Sequence, residues 1–327
     1  MGTRGGFKIE ATEANKTTGE SIGLHRMAVV LACMTVVLLM AGALVTSNEA
    51  GDSVPDWPMS FGRWVLGSRQ FVGNIRFEYS HRVVAGAVGV MTLLTACWAW
   101  LRSTRSGTGR RSDRVRWLAL AAVVGVVLQA AIGGVRVLLP EYKALIAVPH
   151  AFVAQSFFCA VVGLAIITSR SWNQARPARL DDSAAALRSL SIATAAGIMI
   201  QLVLGAGFRH GAIGIAPHIA GAVGVVLLVS WTALRTLQAA GAESYLRRPM
   251  VTLCGLLVIQ VGLGIGSYLA RLAAVNDPQP LEPMISLTVA HVVVGALTLA
   301  SAVVLALRCN QVIPATLGAH ASSVPAA

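Results

Sequence analysis

SHRVVAGAVG, residues 80–89, puts His81 at the head of an apolar run long enough to cross a membrane. The same opening recurs as PHAFVAQSFF (149–158), PHIAGAVGVV (217–226) and AHVVVGALTL (290–299). His81, His150, His218 and His291 follow one another at 69, 68 and 73 residues, so the chain repeats a unit that presents one imidazole at one depth. An ionisable side chain inside a bilayer must find a partner there, which makes each of these histidines a functional candidate.

The surrounding composition supports this frame. Of 327 residues 55% are hydrophobic and 12% charged, and mean hydropathy is +0.69, which excludes an ordinary water-soluble domain. Runs of about 20 apolar residues, enough to cross a core of about 30 Å as helix, predict eight spans: Met27–Thr46, Ser80–Leu101, Trp117–Leu138, Val148–Ser169, Leu187–Gly207, Ala212–Leu234, Met250–Arg271 and Ile285–Leu307. Backbone groups cannot go unpaired in lipid, so the spans should be helices. The expected fold is therefore an all-α integral membrane protein of eight transmembrane helices.

The net charge of +12 invites a nucleic-acid reading, but its placement argues against one. Lys and Arg concentrate in the N-terminal segment (Arg4, Lys8, Lys16, Arg26) and in alternate connections, among them Arg102 to Arg116, Arg170 to Arg188 and Arg235 to Arg248. By the positive-inside rule both termini lie in the cytoplasm and all four histidines lie toward the outer face. Nucleic acid is not an expected partner; the bilayer is. None of the five cysteines forms CxxC or CxxCH, so covalent heme attachment and a cysteine zinc site are not expected, and no external loop has a cysteine to brace it. Residues 1–26 and 308–327 read as cytoplasmic tails, the first too polar and too long for a signal peptide.

The outward-running spans share a pattern of their own. Gln129 and Gly133, Gln201 and Gly205, and Gln260 and Gly264 each place a glutamine one turn before a glycine; the first span keeps Gly42 but has Leu38 at the glutamine position. The unit is thus a two-helix hairpin seen four times, giving two four-helix halves, 27–169 and 187–307, with a linker at 170–186. An even number of helices per half gives both the same orientation, related by an axis along the membrane normal. Paired transmembrane histidines are natural axial ligands for heme. Four residues after each histidine stands Ala85, Ala154, Ala222 or Gly295, which would leave room for a flat ligand or for close helix packing.

The halves differ in one respect. Only His81 follows a carboxylate at helical spacing, with Glu78 at i−3, so that the acid and the imidazole share a helix face. Glu78 could serve reaction chemistry or merely favour a helix N-terminus. Arg82 could hold a heme propionate or neutralise Glu78. The long first external loop carries SVPDWP (53–58), readable as a lid over the first half or as an interfacial anchor through Trp57 and Trp64.

The SVPDWP loop, the FEYSHR element (77–82) and the four phased histidines resemble the heme A synthase family over about residues 28–308. The resemblance implies two four-helix bundles related by a pseudo-twofold. It implies an oxidoreductase acting on CH or CH2 groups, which converts the C8 methyl of heme O to a formyl group by successive hydroxylations, making heme A for terminal oxidases. It implies a heme b cofactor on His218 and His291, a substrate iron held by His81 and His150 with Arg82 beside them, and Glu78 as the catalytic carboxylate. Expected partners are heme O, a heme O synthase and an electron acceptor, with a homo-oligomer as a further candidate; the expected location is the inner cell membrane. The chain departs from many relatives in lacking a cysteine pair in an external loop, so Pro, Trp and ion contacts must hold its first loop instead. The rival reading is a diheme b-type electron-transfer protein, which would use the same histidines but has no need of Glu78.

Overall fold

Uninterrupted apolar runs with few breakers satisfy their backbone only as long helices, and they form them here. A computed structural model describes residues 4–105, 110–174, 182–238, 244–273, 275–277 and 281–312. Its helices are α1 (Arg4–Ser47), α2 (Ile75–Arg105), α3 (Arg110–Leu138), α4 (Lys143–Thr168), the short α5 (Arg170–Gln174), α6 (Asp182–Arg209), α7 (Ile215–Gln238), α8 (Ser244–Ala273) and α9 (Glu282–Val312). Among the described residues eight helices are long and apolar enough to span a membrane, with spans of 24–31 residues. At 1.5 Å per residue these are about 36–46 Å long, more than the hydrocarbon thickness, so their ends project into the interfacial layers.

All eight spans coincide with the predicted ones, but most helices run several residues past the predicted bounds, α3 from Arg110, α6 from Asp182, α8 from Ser244 and α9 to Val312. Helix α1 begins at Arg4, so most of the segment expected as a flexible tail continues the first span as helix. Ala, Glu and Lys favour helix there and no proline interrupts it. Helix α4 begins at Lys143, which places Pro149 inside it, directly before His150.

The packing order follows the chain. Helix α1 meets α2, α2 meets α3, α3 meets α4 and α4 returns to α1; α6, α7, α8 and α9 close in the same cyclic order. The two sets meet through α4 with α9, α1 with α9 and α4 with α6. Exchanging the sets maps the first pair onto itself and the other two onto each other, a pattern compatible with a twofold relation. Helices α4 and α9 are accordingly the central ones. Half of the most apolar window of each is buried, against 11–28% in the other six spans, whose outer faces present large apolar side chains such as Leu93, Val127, Leu227 and Val258 to lipid.

Equivalent helix ends are also built alike. Helix α6 closes in a Schellman turn, with Gly211 N–H donating to Phe208 O (3.1 Å) and Ala212 N–H to Gly207 O (2.8 Å), and Gly211 takes the left-handed conformation (φ 73°) that this turn requires. Helix α1 ends the same way through Glu49 N–H to Thr46 O and Ala50 N–H to Val45 O, with Glu49 at φ 51°.

Candidate functional site

Each of the four histidines lies against a glycine of the preceding membrane-spanning helix. A Cβ built on Gly42 would stand 3.1 Å from His81 Cε1; on Gly133, 3.3 Å from His150 Cε1; on Gly205, 2.9 Å from His218 Cε1; and on Gly264, 2.9 Å from His291 Cε1. The same ring atom leads in all four copies. The sequence shows the glycines in phase, but not that each one receives the imidazole of the next helix. That pairing was legible in principle, because glycine and histidine recur together in every hairpin.

The glutamine repeat attends the same rings in the second half. Gln201 Nε2 lies 3.0 Å from His218 Nδ1 and 2.8 Å from His218 O, and His291 Nδ1 lies 3.1 Å from Gln260 O. The Gln260 amide fills the space beside Gly295, where an added Cβ would come within 3.0 Å of its Nε2. In the first half, where Leu38 replaces one glutamine, the Nδ1 atoms of His81 and His150 are buried without a hydrogen-bond partner, whereas the Oε1 atoms of Gln129, Gln201 and Gln260 lack one in both halves. An unsatisfied buried polar group costs about 1–3 kcal/mol.

His218 and His291 face each other across 6.4 Å between ring centres, with planes 82° apart. Two imidazole nitrogens each about 2 Å from one metal place their ring centres roughly 6 Å apart, so this spacing suits two axial ligands of a single iron. Among the described residues no three His, Cys, Asp or Glu side chains converge as a metal cage. A porphyrin iron asks the protein for only two. The donor set and spacing therefore fit heme.

Glu78 occupies the first turn of α2 and is buried, 4% exposed. Its Oε1 pairs with Arg82 Nη2 at 2.6 Å and its Oε2 accepts the Val54 N–H at 2.9 Å. Arg82 in turn donates to Val54 O (3.0 Å), Asp56 O (2.6 Å) and Met59 O (2.9 Å). The Val54 peptide is thus held on both sides, its N–H by the carboxylate and its carbonyl by the guanidinium. Of the two roles open to Arg82, neutralising Glu78 is visible, and gathering the loop is a role the sequence does not disclose.

The rest of residues 48–74 is fastened without a disulfide, as the cysteine-free loop requires. The Trp57 ring lies on Gly134, where a Cβ would come within 2.7 Å of it; Lys143 pairs with Asp52 at 2.9 Å; and Arg136 donates to Gly51 O at 3.0 Å. Gly134 is next in sequence to the glycine under His150, so the loop is fastened to the same turn of α3. Asp56 accepts the Phe61 and Gly62 N–H groups at 2.6 and 2.7 Å. The Gly62 bond chiefly, then that of Phe61 and the nearby Arg82 charge, hold its carboxyl below the ordinary value.

At the C-terminal end of α6, Arg209 donates to Ala43 O (2.9 Å) and Ser47 Oγ (2.7 Å), tying the carbonyl end of α1 to the other set of helices. Burial, with Arg209 and Arg136 adding to it, lowers the neighbouring His210 to about 4. Phe208, on the same turn, stacks on His218 with centres 6.4 Å apart and planes 10° apart.

Residues 25–217 match the model of the cytochrome oxidase assembly protein family, COX15-CtaA. The chain belongs to the heme A synthase family. Among its relatives, the heme A synthase of Halalkalibacterium halodurans is 30% identical over 162 residues, 47% of this chain and 49% of that protein. That of Alkalihalophilus pseudofirmus is 33% identical over 133 residues (40% and 42%), and that of Shouchella clausii 30% over 141 residues (43% and 44%). The chain thus spans at most about half the length of these curated relatives in the matched stretch. Of the four glycine-backed histidines, His81 and His150 lie within the stretch that matches the family model, and His218 and His291 lie beyond it.

Proposed function

We propose that the chain is a heme A synthase that oxidises the C8 methyl of heme O to a formyl group by successive hydroxylations. The observation that carries this reading is the asymmetry between two otherwise alike histidine pairs: only His81 has a buried carboxylate one turn away, closed over by the external loop. On this reading residues 27–169 form the substrate half, with His81 and His150 on the substrate iron and Arg82 bordering the site through Glu78 and the loop. Residues 187–307 form the cofactor half, with His218 and His291 on heme b, joined by the linker 170–186. Bound heme b supplies one-electron transfer.

Converting a methyl to a formyl group with oxygen from water removes four electrons and four protons, so an electron acceptor is required. The chain contributes position and charge. Glu78 stabilises positive charge developing at the methyl carbon or orients the attacking water, and the loop held by Arg82 excludes bulk water. Such electrostatic assistance counts for most where water is shut out. The protein works in the cell membrane with both termini in the cytoplasm and the chemistry near the outer face, receiving heme O from a heme O synthase.

Extraction and mass analysis of the hemes in purified protein test this reading. Heme b accompanied by heme O, its hydroxylated form or heme A is expected, and heme b alone in both halves would instead establish the diheme electron carrier. His218→Ala and His291→Ala should each remove the low-spin heme b signal while the chain still inserts. An unchanged spectrum in both would overturn the ligand assignment.

A further inference from the structure

The four glycines beneath the histidines do more than permit helix packing. In every copy a Cβ built on the glycine would stand nearest the ring's Cε1, with Nδ1 next and Nε2 farther: 3.1, 3.6 and 3.9 Å at Gly42, 2.9, 3.3 and 3.7 Å at Gly205, and 2.9, 3.4 and 3.8 Å at Gly264. At Gly133 only Cε1 (3.3 Å) and Nδ1 (4.0 Å) come within 4 Å. One ring edge therefore faces the neighbouring glycine four times over, and Nε2 is the nitrogen farther from it; in His291 that nitrogen lies 3.3 Å from Gln260 Nε2, a donor that an iron would displace there. We propose that Gly42, Gly133, Gly205 and Gly264 are positioning residues. Each is a seat that fixes the imidazole plane and presents Nε2 to the iron.

The inference rests on the reading of these histidines as iron ligands, and it adds how the ligand nitrogen is selected. A side chain at the seat would meet the ring before the ring could reach this position. Carbon atoms rest about 3.5–4.0 Å apart, so a methyl 2.9 Å from Cε1 at Gly205 or Gly264 forces the ring to move. At 3.1 and 3.3 Å, Gly42 and Gly133 demand a smaller shift. The cofactor half thus has the tighter seats, and there the Gln260 carbonyl accepts the His291 Nδ1–H (3.1 Å), which leaves Nε2 with its lone pair, while the Gln201 side-chain amide lies 3.0 Å from His218 Nδ1 and must turn its oxygen to the ring for Nε2 to be the ligand. In the substrate half Nδ1 of both rings lacks such a partner. A firmly seated pair suits a resident group, and a looser pair suits one that must enter and leave.

The test uses the full chain purified with its heme. Gly205→Ala and Gly264→Ala are compared with Gly224→Ala on α7 and Gly262→Ala on α8, where an added Cβ meets nothing within 4 Å. Outer contacts that orient a metal-bound histidine typically change metal affinity about 10–100-fold. Each seat variant should therefore retain heme b at least about tenfold more weakly in a heme-transfer competition, or move its low-spin resonance signal toward high spin, while the controls keep the parent spectrum. Parent-like affinity and signal in both seat variants, with His218→Ala losing the signal, would overturn the seats and leave the ligands standing. Persistence of the signal in His218→Ala would remove the ligand reading and the proposal with it. Equal losses in the controls would also overturn the proposal, by showing a general effect of glycine replacement. If the seat variants fail to accumulate, Gly133→Ala with added heme O reads the same displacement in the first half; an unchanged ligand signal there counts against the seats.

Discussion

At the scale of single residues, Glu78 and Arg82 serve two ends that one substitution can separate. Glu78→Gln keeps the side-chain volume and an acceptor for Val54 N–H but removes the charge facing Arg82 at 2.6 Å. If the charge acts on the transition state, heme b content stays normal and heme A yield falls about 10²–10³-fold, with heme O or its hydroxylated form accumulating. An acid that only favours a helix N-terminus is worth about 0.3–1 kcal/mol, too little for such a loss. Arg82→Gln provides the complement. It gives up the charged hydrogen bonds to Val54, Asp56 and Met59, so residues 53–59 should become sensitive to limited proteolysis while Glu78→Gln leaves them better protected. Parent yields of heme A from Glu78→Gln would remove that residue from the chemistry.

At the scale of elements, the helices were legible because each announces itself locally. Twenty apolar residues, a histidine at a constant phase and glycines one turn past a glutamine can all be read from one hairpin without the others. The loop was not legible in the same way. Its fastening depends on Arg82 reaching back 26 residues to Asp56, on Lys143 reaching Asp52 across 91, and on Trp57 finding Gly134. Nothing in the spelling of SVPDWP names those partners, so lid and interfacial anchor are equal readings of the sequence, to which the structure adds that the Trp57 ring lies against Gly134 of α3. The helical start of α1 was not legible for another reason: polarity argues for exposure to water but does not argue for or against helix. The orientation of all these elements rests on loop charge, and it can be checked directly. A cysteine introduced between Asn48 and Asn74 should label with an impermeant reagent from outside, and one between Ser103 and Asp113 only from the cytoplasmic side. The reverse labelling would move the four histidines to the cytoplasmic face.

At the scale of the whole molecule, the two sets of helices are joined at the histidine end by a half-buried arginine whose described acceptors are neutral. Arg209 gives Ala43 O and Ser47 Oγ a charged donor, and hydrogen bonds to charged groups contribute about 1.5–3 kcal/mol. Arg209→Gln should therefore lower the heat stability of the detergent-solubilised protein by about that amount. The same corner gives the protein an acid limit. His210 falls from an ordinary 6.5 to about 4 because burial, and then the Arg209 and Arg136 charges, disfavour its protonated form. A group whose folded value is depressed binds its proton more readily once the chain unfolds. Its contribution to stability is thus fully present above pH 6.5 and declines as pH falls from 6.5 toward 4. The unfolding temperature of the parent protein should drop across that window, and the drop should be smaller in His210→Gln, which cannot take up the proton. Replacing Arg209 should shrink it as well, since removing a neighbouring positive charge lets His210 titrate closer to its ordinary value. Parallel curves for parent and His210→Gln between pH 6.5 and 4 would show that the acid limit lies elsewhere in the molecule.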